Sequence, residues 1–103
     1  MVAIIDSTTE QVTVRVELFG LARMIAERRE FGLSIPRNAD SQDIARALAS
    51  ACPPLLGSVL LSDGSGLLDS YTLNVNGTAF VSEAPLDLAP GDSILLFSSQ
   101  AGG

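Results

Sequence analysis

The chain has 103 residues, 47% of them hydrophobic and 17% charged, enough for one small domain with one core and too few for two. Twelve acidic residues against six arginines and no lysine leave a net charge of −6, which argues against nucleic-acid binding, because phosphate neutralisation supplies most of that affinity. No apolar run approaches the ~18–20 residues of a membrane span and the start carries no secretory signal, so a soluble, cytoplasmic protein with no nucleic-acid or membrane partner is expected.

Residues 1–10 read as a loose arm. In "VTVRVELF", Val12, Val14, Val16 and Leu18 share one face and Thr13, Arg15 and Glu17 the other, which predicts a half-buried strand. "GLARMIAERRE" follows, with Leu21, Met24, Ile25 and Arg28 at helical spacing, predicting a short helix. Its "ERRE" (Glu27 to Glu30) sets two arginines between two glutamates and reads as a solvated face. "EFGLSIPR" alternates Phe31, Leu33 and Ile35 and predicts a second strand ending at Pro36.

"NADSQDIARALASACPP" carries both start and stop signals. Asp40 or Ser41 can cap the first free N–H groups, and Asp43 lies in the first turn, where negative charge is favoured. Ile44, Ala47, Leu48 and Ala51 form an apolar stripe. Pro53 and Pro54 end the helix, because proline lacks the N–H and disfavours helix in the residue before it. Leu55, Leu56, Val59 and Leu60 fit a short helix as well as an extended segment, and "DGSG" (Asp63 to Gly66) reads as a turn. Tyr71, Leu73 and Val75 alternate ahead of Asn76-Gly77, the favoured pair of a two-residue hairpin turn. After the turns of "APLDLAPGD", "SILLFSS" predicts a last strand. Ile94 and Leu96 face one way and Leu95 and Phe97 the other, as at the centre of a covered sheet.

The first and last strands both read as central, and parallel pairing between them lets the C-terminus project from a sheet end. One main helix cannot cover two faces, so a mixed sheet curved around that helix is the economical α+β architecture.

Chemistry-bearing residues are sparse. With no histidine there is no Ser-His or Cys-His pair and no imidazole metal ligand. The single Cys52, in "ALASACPP", sits among small apolar residues and reads as a buried structural thiol. No metal site and no phosphate loop is expected, and little suggests an enzyme that does its own chemistry.

In this order, "VELFGLAR", "LNVNG" and "LAPGDSILLFSSQAGG" resemble the ubiquitin-like β-grasp fold, with four to five strands in a mixed sheet curved around one main helix. Within that fold the chain is similar to the sulfur-carrier family, which includes the molybdopterin synthase small subunit and the thiamine sulfur carrier. Ser98 and Ser99 stand where molybdopterin-type carriers usually have two prolines, and the proline-free tail is closer to the thiamine type. The longer middle, with "CPPLLGSVLL", is closer to the molybdopterin type.

The resemblance implies an arm at 1–10, a β-grasp domain at 11–97 and a Gly-Gly tail at 98–103. It implies that an E1-like enzyme, using ATP and its metal ion, adenylates the Gly103 carboxylate, and that sulfur then replaces AMP to give a thiocarboxylate. The carrier binds no cofactor itself. Its second partner would be a sulfur-accepting synthase, either the molybdopterin synthase large subunit or thiazole synthase, with molybdopterin favoured. A second reading is a protein modifier joined through Gly103 to a target lysine; having no lysine, the chain could not form lysine-linked chains of itself. A third is an interaction domain whose Gly-Gly is incidental.

The tail suits threading. Gly102 and Gly103 lack a Cβ, so a partner's backbone can close around them, and Gln100 and Ala101 carry no charge to desolvate. The six residues from 98 to 103 span about 20 Å at ~3.3 Å each, enough to reach a buried site. Ordering them costs roughly 1–2 kcal/mol per residue, which a docking surface on the domain must offset. Leu95 and Phe97 are candidates for that surface, and both fit a core as well.

Overall fold

The computed structural model describes residues 10–98. Five strands form one sheet in the order β2-β1-β5-β3-β4. Strand β1 (Gln11–Leu18) is valine-rich and alternating, and Val12, Val14, Val16 and Leu18 all point into the core. β2 (Glu30–Pro36) pairs antiparallel with it, setting Val14 against Leu33 and Val12 against Ile35. β2 is an edge strand, where the proline's missing N–H costs no ladder bond.

β5 (Ser93–Ser98) lies on the other side of β1 and runs parallel to it, Val16 beside Ile94 and Leu18 beside Leu96. β3 (Tyr71–Val75) closes antiparallel on the far side of β5, from Tyr71 with Ser98 to Val75 with Ile94. The first and last strands are therefore central and parallel, as their sequences predict. β5 runs one residue further than the expected domain end, because Ser98 is still in the ladder.

The main helix, α2 (Ser41–Ala51), starts where the sequence puts it. Asp40 is the cap: its Oδ1 accepts from the Asp43 N–H at 2.9 Å, and Asp43 Oδ2 accepts from the Asp40 N–H at 3.1 Å. Each carboxylate satisfies an otherwise free donor and adds charge at the positive helix end. Ile44 and Leu48 of the expected stripe are buried and Ala47 packs at the core's margin, whereas Ala51 is exposed and Ala45 is buried in addition. A 3-10 turn at Pro53–Leu55 follows at the prolines. Of the segment left open between a short helix and an extended run, Leu55 closes this short helical turn, and the rest is neither helix nor ladder strand. It is a coil held by isolated bridges, Leu56 with Leu60 and Leu60 with Leu67, and the segment buries Leu55, Val59 and Leu60.

α1 (Gly20–Ala26) forms, but its inward residue is Ala22. Leu21 and Met24, expected on its buried face, are 56% and 73% exposed, and Ile25 packs only at the core's margin. Seven residues make one close approach, and alanine lets the helix backbone come near the sheet. Glu27 ends α1 in the left-handed region, its N–H donating to the Arg23 carbonyl at 2.9 Å.

The hairpin forms at Asn76 and Gly77, both with positive φ, closed by the Thr78 N–H donating to the Val75 carbonyl at 3.0 Å. β4 (Ala79–Phe80) then pairs Ala79 with Val75 and Phe80 with Asn74, so Thr78 adds a third residue to the expected two-residue loop. The Asp63–Gly66 turn is as expected, with Asp63 Oδ1 accepting from the Ser65 N–H at 3.0 Å and its hydroxyl at 2.7 Å. Those donors hold the Asp63 carboxyl below its ordinary pKa. Among the described residues, no helix is long and apolar enough to cross a membrane.

Candidate functional site

The sheet has two unlike faces. Ile94 and Leu96 of β5 are buried against the helix side, while Leu95 and Phe97 are half-buried on the other. Among the described residues, the helices bury the first face, and Leu95 and Phe97 on the second keep part of their surface. The sequence pattern of β5, apolar on both sides, thus reflects a core face and an open apolar face rather than a sheet covered twice. Leu95 and Phe97 are thus neither fully in the core nor fully exposed.

The register assembles the rest of the open face. Glu17 on β1 lies beside Leu95, Thr72 and Asn74 on β3 lie beside Phe97 and Leu95, and Phe80 on β4 lies beside Asn74. Period-two continuation puts Phe19 on the same side as Arg15 and Glu17, and its N–H donates to the Leu96 carbonyl at 3.1 Å. Phe19 is 43% exposed and Phe80 is 67% exposed. The Phe80 and Phe97 rings sit with centroids 6.4 Å apart and tilted by 51°, a favourable aromatic geometry.

Aromatic and aliphatic surface therefore clusters around the outer side of β5. A charged margin runs along β1, where Arg15 reaches Glu17 at 3.5 Å and the Ser93 hydroxyl at 3.2 Å. A shallow cavity of about 300 Å³ opens between the two, lined by Glu17, Phe19, Asn76, Gly77, Ser93 and Leu95. Sequence reasoning missed Phe19, Phe80 and Asn74. Phe19 could have been found by extending the alternation of β1 by one residue. Phe80 follows only once the hairpin register is known.

The predicted tail residues Gln100, Ala101, Gly102 and Gly103 lie outside the described residues. The residue before them in the described chain is Ser98, paired with Tyr71 at the end of the central strand. The tail is thus rooted directly beyond the two candidate docking residues Leu95 and Phe97.

Cys52 is buried, 3% exposed, and burial raises its thiol pKa more than the nearby Arg28 lowers it. It is therefore a poor thiolate nucleophile. Among the described residues, no group of three or more acidic or cysteine side chains is placed to hold a metal ion.

No family model matches the chain, and no curated protein matches it significantly. Solved structures do. A crystal structure of the small archaeal modifier protein 1 of Haloferax volcanii matches over 88% of this chain and 99% of its own, with 26% identity and a TM-score of 0.69. The Methanosarcina acetivorans protein of the same name matches over 91% and 99%, at 21% identity and 0.69. A protein assigned as molybdopterin converting factor, subunit 1, from Pyrococcus furiosus matches over 84% and 97%, at 20% identity and 0.62. With the strand order above, these likenesses mean that the chain has a ubiquitin-like β-grasp fold of the kind these modifier and molybdopterin-type proteins share.

Proposed function

We propose that this protein is a carrier whose Gly103 carboxylate is activated by an E1-like enzyme. The observation that carries the reading is geometric: the strand that leads into the Gly-Gly tail is central, and its outer side presents Leu95 and Phe97 within an open apolar face. A partner that takes the tail would dock on this face. A carboxylate ionised at neutral pH is a poor electrophile. Attack on ATP gives the acyl adenylate and releases pyrophosphate, and a sulfide equivalent then attacks the acyl carbon and expels AMP. The product is a thiocarboxylate for delivery to a sulfur-accepting synthase. Every catalytic group in this scheme belongs to the partner, in keeping with a chain that has no histidine and one buried cysteine. Molybdopterin synthesis is the favoured destination, and thiazole synthesis is the alternative.

Incubation with the activating enzyme, ATP and a sulfur donor, followed by intact-mass spectrometry, tests the reading. The expected mass gain is that of one oxygen replaced by sulfur, located on Gly103. A chain lacking Gly103 that still shows the gain refutes it. Rescue of a molybdopterin-pathway mutant but not a thiazole mutant assigns the destination.

A second reading, attachment to other proteins through Gly103, is favoured by the Haloferax volcanii modifier structures, which share 26% and 27% identity with this chain. Both readings need the same activated terminus. They part at the acceptor: a lysine adduct in cell lysate on denaturing gels supports modification, and free protein alone argues against it.

A further inference from the structure

Among the described residues, Asn74 is the one polar side chain in the buried set, 7% exposed, and it lies on the face of the sheet that carries Leu95. Its cross-strand neighbours are Leu95 and Phe80, both apolar. Its side-chain Oδ1 is shut off from solvent and has no hydrogen-bond partner among the described residues. Leaving such an acceptor unpaired weakens the free domain, and an apolar side chain would fill the same place without that cost. Its neighbour on the edge strand is also unusual. Phe80 belongs to a two-residue edge strand, is 67% exposed, and leans on Phe97. A side chain so little held can swing aside at small cost.

We infer that Asn74 is a specificity-determining residue of the docking face. The occupant is the activating enzyme that takes the tail, presenting an N–H donor framed by apolar side chains. The inference rests on the proposed activation of Gly103. On docking, the Phe80 ring tilts away from Asn74 and packs against the partner, whose apolar groups also cover Leu95 and Phe97, and the donor pairs with Asn74 Oδ1. An apolar surface without the donor would bury the same side chains and leave the acceptor unpaired, so Asn74 rejects partners that merely match the patch in hydrophobicity. This is discrimination by an unsatisfied polar group, which separates ligands more sharply than apolar contact does.

The test is ATP–pyrophosphate exchange by the organism's E1-like enzyme, with the full chain as the varied substrate. Asn74→Leu should melt no lower than wild type, because a buried orphan is removed. Its KM should rise about tenfold with kcat at saturation unchanged, the cost of a donor stranded in the interface. A folded Asn74→Leu protein with wild-type KM overturns the inference while leaving carrier activation intact. Absence of exchange with the wild-type chain overturns both. Should Asn74→Leu fail to fold, the wild-type side-chain amide is followed by NMR as enzyme is added. Shifted, exchange-protected Asn74 amide protons support the inference, and unchanged ones overturn it.

Discussion

Replacing Phe80 with alanine separates folding from docking on the open face. Phe80 is 67% exposed. Taking roughly 200 Å² for a phenylalanine, about 130 Å² remains for a partner to cover, worth about 3 kcal/mol at ~25 cal/mol/Å². That is a ceiling of about a hundredfold in affinity, from which the costs of association are subtracted. The buried remainder and the ring contact with Phe97 contribute about 1–2 kcal/mol to the fold. Phe80→Ala should therefore melt only modestly lower, yet show a KM for the activating enzyme raised by ten- to a hundredfold as an order-of-magnitude estimate. Thermal denaturation by circular dichroism and pyrophosphate exchange read the two effects separately. A variant that melts lower but activates with the wild-type KM would refute the assignment of this face.

Three further outcomes probe the frame beneath the site. Leu96 is fully buried on the central strand, so Leu96→Ala should cost about 2–5 kcal/mol in urea denaturation; a loss under about 1 kcal/mol would contradict its place in the core. Gly64 has φ +76, and a Cβ there would lie 3.2 Å from that of Ala49. Gly64→Ala should therefore destabilise by more than about 1 kcal/mol, and a neutral result would mean the turn relaxes freely. Burial raises the Cys52 pKa, so the unfolded chain gives up the thiol proton first. Stability should be level below the ordinary thiol pKa of about 8.5 and fall as pH rises above it. Cys52→Ala should lack this decline, and urea midpoints between pH 7 and 10 that fall equally in both proteins would count against the linkage.

The parts of the fold legible in the sequence are those where one residue's neighbours in the chain decide its place. Val12, Val14 and Val16 alternate because one face of β1 is solvated, and Asp40 to Asp43 cap α2 through groups three residues apart. Where tertiary contact decides, the pattern misleads. Leu21 and Met24 have helical spacing, yet the seven-residue α1 approaches the sheet through Ala22 and leaves them in solvent. Val59 and Leu60 are buried without any regular element to announce it. The candidate site divides in the same way. Leu95 and Phe97 were visible because β5 is apolar on both sides, a local property. Asn74 and Phe80 become neighbours only through the hairpin register, and burial of an unpaired amide leaves no periodic trace.

The two sides of β5 have opposite requirements, and a strand's period of two lets one short segment meet both. Threading a tail into another protein pulls on its root, so the root must be held. Ile94 and Leu96 supply this from the inward side, between the parallel β1 and the antiparallel β3. Docking needs apolar surface that the fold itself has not consumed. In the proposed carrier, Leu95 and Phe97 supply that from the outward side, where both are only half-buried. Because the two sets alternate, the docking groups cannot drift relative to the held ones. Phe97 then stands six residues from Gly103, about 20 Å of extended chain. In the proposed carrier, the depth of the partner's active site below its docking surface is thus matched by the covalent length of the tail. The domain needs no catalytic side chain to fix where the activated carbon arrives.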